Sequence, residues 1–120
     1  MKSARAGLAL LIAAAWPTAA WASGTLDFDA GGYGVQMEIG DDAGPTVARV
    51  RLFPPGDTTG IALRPQDVRV DAFDVDRRRL HLEHRGRTPG APAFDLRVEG
   101  DRGVLEIRGQ ALSAPFDWQM

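Results

Sequence analysis

The residues able to do chemistry are few in this chain, and their spacing limits what they can do. His81-Leu82-Glu83-His84 holds both histidines, with one carboxylate between them. Imidazole nitrogens and carboxylate oxygens ligate zinc when they converge on a single point. The surrounding residues alternate between apolar and polar, so this segment is an extended strand, and residues three apart on a strand point to opposite faces. His81 and His84 therefore do not share an ion. His81 and Glu83 do share a face, but two ligands fall short of a site, and no metal is assigned. A second spacing is Asp27-x-Asp29-x-Gly31-Gly32, with Glu38 in the twelfth place. Calcium loops put oxygen ligands at positions 1, 3, 5 and 12 and a glycine at position 6. Asp27, Asp29, Gly32 and Glu38 match four of these places. Gly31, in the fifth, has no side-chain oxygen, and the flanks are strands where a calcium hand has helices. Whether these carboxylates bind calcium stays open, and the plainer reading is the wet face of a hairpin.

Nucleophilic catalysis finds little support. Ser23, Thr58, Thr59 and Ser113 are the hydroxyl candidates, and none lies in a Gly-x-Ser-x-Gly elbow. Two groups of carboxylates are close in sequence, Asp71, Asp74 and Asp76 and the pair Asp41-Asp42, but carboxylates alternating along a strand form its solvated face, so no acid–base pair is nominated. The chain has no cysteine, which excludes thiol catalysis, thiolate ligation and disulfides. Arg77-Arg78-Arg79 could grip a phosphate or an acidic polymer; beside Asp74 and Asp76 it reads as a balanced, solvated turn. No catalytic residue and no cofactor is assigned.

The N-terminus has the grammar of an export signal. Lys2 and Arg5 form a basic start, Ala6–Trp16 is apolar, Pro17 breaks the run, and Ala20-Trp21-Ala22 is a small-x-small cleavage pattern. The run is shorter than the roughly 20 residues a membrane span needs. This predicts a signal-peptide helix over residues 1–22, cut before Ser23, and a single mature domain over 23–120. That domain would be periplasmic or secreted, with no membrane span after cleavage. The full chain carries a net charge of −2, and losing Lys2 and Arg5 makes the remainder more acidic. Such a balance gives no electrostatic case for nucleic acid.

The elements that must position any site are strands. Asp67–His84 is the clearest stretch: Val68 and Val70 alternate with Arg69 and Asp71, and Leu80 and Leu82 alternate with His81 and Glu83. Asp76-Arg77-Arg78 lies between the two runs, as in a β-hairpin with one buried face. The phase changes near Ala72-Phe73, and a β-bulge there would return Phe73 and Val75 to the face of Val68 and Val70. Before this hairpin, Thr25–Asp29, Tyr33–Ile39 and Val47–Phe53 alternate, the last with Ala48, Val50 and Leu52 on one face. After it, Arg85–Pro92 reads as an exposed, mobile connector, and Phe94–Glu99, Val104–Arg108 and Leu112–Trp118 alternate again. The fold class is all-β: an antiparallel meander of about eight strands, closed as a small barrel or folded as a two-layer sandwich. Closure removes free edges, which favours the barrel.

From Thr59 to Trp118 the rhythm resembles the antiparallel meanders of small secreted bacterial proteins of unknown function, and loosely the lipocalin barrels. Asp67–Val70, Arg79–Leu82, Phe94–Gly100, Gly103–Gly109 and Phe116-Asp117-Trp118 carry the resemblance. Gly32-Tyr33-Gly34 stands where lipocalins have Gly-x-Trp. The expectation is an exported, non-catalytic binding or structural module of the cell envelope, with a protein partner. The alternative is a carrier of an apolar ligand, with Tyr33, Met37, Phe94, Phe116 and Trp118 lining an internal cavity. A hydrolase is the distant third.

Overall fold

In a computed structural model, residues 24–119 are described, so the expected signal peptide lies outside the described residues. Nine β-strands are found among them: β1 (Gly24–Ala30), β2 (Tyr33–Asp41), β3 (Pro45–Phe53), β4 (Ile61–Ala62), β5 (Val68–Asp74), β6 (Arg79–His84), β7 (Phe94–Glu99), β8 (Arg102–Ile107) and β9 (Gln110–Pro115). Every pairing is antiparallel and every neighbour consecutive, with β1–β4 forming one sheet and β5–β9 the other. The expected barrel is corrected here. The first and last strands share no ladder, so the chain makes two separate sheets rather than a closed one. No described helix is long and apolar enough to cross a membrane.

Alternation decides what each sheet buries. On the first sheet Leu26, Phe28, Val35, Met37, Ile39, Val50 and Leu52 point inward; on the second, Leu80, Leu82, Leu96, Val98, Leu105 and Ile107 do so, and all join one core. Phe28 and Phe116, 6.5 Å apart, bring β1 against the C-terminal segment. Gly103 lets the sheets approach there, since a Cβ on it would stand 2.6 Å from the Phe28 ring. Ala48 was expected to face inward. The register shifts between Glu38 and Ile39, where Ile39 pairs with Val47, and the bulge turns Val47 toward the core and Ala48 to solvent.

Tight turns fix the hairpins. Gly31 and Gly32, at φ 59° and 87°, join β1 to β2 in the left-handed conformation that two-residue hairpins require. Arg108, at φ 50°, does the same before Gly109 without the freedom of glycine. In the β5–β6 turn the Arg77 backbone N–H donates to the Asp74 Oδ1 at 3.0 Å, and Arg77–Arg79 are exposed, as a solvated turn demands.

The bulge expected in β5 is present. Val70 pairs with Leu82 and Ala72 with His81, so Asp71 is the extra residue. Phe73 opposite Leu80 and Val68 opposite His84 both pack on the core, whereas Val70, expected to be buried with them, stays exposed at the edge of the sheet. Phe73 then stacks on Trp118 at 6.3 Å.

Candidate functional site

The outer face of β5, β6 and β7 gathers six charged side chains into one patch. Cross-strand register brings them together: Arg69 opposes Glu83, Glu83 opposes Asp95, and His81 opposes Arg97. The bulge adds Asp71, since two residues of β5, Asp71 and Ala72, stand against the single residue His81. His81 is the hub. Its Nε2 lies 2.6 Å from Asp95 Oδ1 and 3.6 Å from Glu83 Oε2, and its Nδ1 lies 3.4 Å from Asp71 Oδ2. Two arginines hold the outer oxygens of this ring: Arg69 Nε is 2.6 Å from Asp71 Oδ1, and Arg97 Nε is 3.1 Å from Asp95 Oδ2. Each aspartate thus gives one oxygen to an arginine and the other to the imidazole. The His81 side chain keeps only 22% of its exposure.

Crowded carboxylates cannot all ionise as free acids do. Glu83 is pushed above the usual carboxylate range, first by its hydrogen bond with Asp71, then by desolvation and by repulsion from Asp71. Asp71 is held low, chiefly because it accepts that hydrogen bond, with Arg69 and His81 adding attraction. The two shifts run in opposite directions, as they do when neighbouring carboxyl groups interact.

Three of these groups, Asp71, His81 and Glu83, present ligand atoms within 4.8 Å of one another. The sequence pairs His81 with Glu83; it does not reveal Asp71 or Asp95, which come from neighbouring strands. Asp27, Asp29 and Glu38 do not form such a cluster among the described residues. Their register explains why: Asp27 pairs with Gln36, Asp29 with Gly34 and Glu38 with Thr25, so Glu38 stands away from both aspartates. Glu38 instead lies 3.9 Å from Arg49. Burial and the charge of Asp29 push Asp27 up.

The other histidine has the opposite fate. His84 is buried at 2% exposure, and the connector after it, expected to be exposed and mobile, is pinned by buried Thr88 and Ala91. Nδ1 of His84 donates to the Pro92 carbonyl at 2.8 Å. The Thr88 hydroxyl donates to Asp67 Oδ2 at 2.7 Å, accepts from the Arg64 backbone N–H at 3.1 Å, and lies 3.3 Å from His84 Nε2. Threonine, histidine and aspartate are the members of a nucleophile triad, but the order is wrong for one. In a triad the carboxylate holds the imidazole and the imidazole takes the hydroxyl proton. Here the carboxylate takes the hydroxyl directly, inside the protein. The trio is a lock joining the connector to a 3-10 turn over Pro65–Asp67. Ser113 has no imidazole partner; Arg102 donates to its hydroxyl at 3.2 Å.

The five aromatic and apolar residues nominated as ligand lining are core side chains. Met37, Phe94, Phe116 and Trp118 are buried, and Tyr33 packs against the same cluster. Phe116 and Trp118 meet edge to face at 5.0 Å, and the Trp118 indole N–H donates to the Gly100 carbonyl at 2.6 Å. A cleft of about 250 Å³ opens elsewhere, beside β3 and β4, lined by Gln36, Glu38, Arg49, Val50, Arg51, Ala62, Leu63 and Pro65. No protein-family profile matches the chain, and no curated protein or solved structure matches it.

Proposed function

We propose that this chain is an exported, non-catalytic binding module of the cell envelope, and that it meets a protein partner through the outer face of β5–β7. The observation supporting this is the ordered charge patch around His81. Its carboxylates are oriented by Arg69 and Arg97, and ordering long charged side chains costs entropy that isolated surface ion pairs scarcely repay. A photo-cross-linker at Arg97 tests it in intact cells. A discrete protein adduct at Arg97, absent when the cross-linker stands at Arg49 on the other sheet, is the expected result. Equal labelling from both positions, or none from Arg97, overturns the assignment of this face. The mass of the purified protein should begin at Ser23 if residues 1–22 are removed on export.

A carrier of a small apolar ligand is the second reading, favoured by the cleft beside β3 and β4. Its volume is slightly below the usual range for ligand pockets, roughly 300–1,000 Å³. Calorimetric titration with medium-chain fatty acids addresses it directly. Saturable binding with a negative heat-capacity change supports a carrier, and flat heats remove it.

A further inference from the structure

We propose that Asp71, His81 and Glu83 form a binding site for a divalent transition-metal ion of the zinc class, with Asp95 fixing the imidazole from its other side. The inference deepens the reading of this face as a binding surface and rests on it. One ligand comes from the β5 bulge and two from alternate positions of β6, and their ligand atoms already lie within 4.8 Å of each other. A small shift of side chains brings such a set to the distances of about 2.0–2.2 Å that zinc makes with nitrogen and oxygen.

The groups behind the ligands fit the same purpose. A metal-bound histidine almost always gives its second ring N–H to a carboxylate, which sets the tautomer and raises the basicity of the ligating nitrogen. Asp95 Oδ1, 2.6 Å from Nε2, occupies that place and leaves Nδ1 facing Asp71, while Glu83 Oε2, which rests 3.6 Å from Nε2, must swing along the ring edge to join them. Arg69 and Arg97 take the outer oxygens of Asp71 and Asp95, so the inner oxygens are already aimed. Three carboxylates against two arginines leave the patch negative before a cation enters. The donor set selects the ion: calcium asks for six to eight oxygens, whereas one imidazole with two carboxylates suits zinc and its first-row neighbours. Three protein ligands leave a fourth tetrahedral position for water or for a donor from the partner.

The test is a titration of the untagged protein with zinc chloride, followed by calorimetry and by the ring resonances of its two histidines. One equivalent should bind, moving the signals of His81 and sparing those of buried His84. His81→Gln should abolish binding. Asp71→Asn should weaken it at least tenfold, and Asp95→Asn, which touches no ion, about 10–100-fold. Circular dichroism identifies any variant that fails to fold, and Glu83→Gln then replaces it. Absence of saturable binding, binding that survives His81→Gln, or a preference for calcium overturns the proposal. Arg97 cross-links that persist in a chelator while zinc fails to bind remove the ion alone and leave the partner surface standing.

Discussion

The two histidines, three residues apart on β6, show how one strand does two different things. His81 faces out, meets three carboxylates and keeps part of its surface in water. His84 faces in: its Nδ1 donates to a carbonyl inside the core, and its Nε2 lies 3.3 Å from the Thr88 hydroxyl. Partners and solvent, rather than residue type, decide whether such a group is a lock or a site. A buried polar group must be satisfied by the protein itself, and once satisfied it has nothing left to offer a ligand. The half-exposed cluster can exchange its internal partners for external ones.

The comparison can be broken most severely at the bulge. Deleting Asp71 would turn either Val68 or Phe73 and Val75 away from the core, because a one-residue slip moves a strand's apolar set to the other face. The expected outcome is loss of the cooperative thermal transition. Thr88→Val comes next. It leaves Asp67 buried without its hydroxyl donor, which should cost about 1–3 kcal/mol, the usual penalty for a buried polar group left unsatisfied, read from urea denaturation. The mirror experiment on the outside is smaller: His81→Ala should change stability by no more than about 0.5 kcal/mol in chelated buffer, as surface changes do. If the two values come out alike, the distinction between lock and site is wrong.

Acidity sharpens the same contrast. Glu83 has a raised folded pKa, so its contribution is complete below its unfolded value and is lost as pH rises through the folded one. Asp71 has a lowered folded pKa, so its contribution is present above its unfolded value and is lost as pH falls through the folded one. The pair should give a shallow stability maximum between these limits, visible in urea midpoints measured across mildly acidic pH. Glu83→Gln should remove the decline on the alkaline side. Asp57 gives a one-sided reference: the Gly60 and Thr59 backbone N–H groups hold it low, so its contribution fades only as pH falls, and Asp57→Asn should flatten that acid limb.

Much of the fold is legible in the sequence. The phase change at Ala72-Phe73 locates the bulge, and the in-phase run Leu112, Ala114, Phe116 and Trp118 faces the core as its spacing requires. Two sheets against one barrel is not legible, because a period of two is common to both and closure depends on whether β1 and β9 share a ladder. The site is only half visible. His81 and Glu83 lie on one strand, but Asp71 and Asp95 reach them through cross-strand register, which turn lengths set. A signal for His84 was available: it shares its parity with Leu80 and Leu82, the mark of an inward position. Thr88 offers no such mark, since nothing in Arg85–Pro92 repeats.

The consecutive strand order has a further consequence, for the order of assembly. Every ladder joins segments that are neighbours along the chain, so each costs only a short loop closure. The long-range step is the docking of the two sheets, where Phe28 meets Phe116. A chain that emerges from its N-terminus completes its first sheet once Ala62 is free, long before Phe116 arrives to cover it. Until then Leu26, Phe28, Met37 and Leu52 form an apolar sheet face open to water, and this half-built intermediate is the stage at which the protein most needs protection from its own copies.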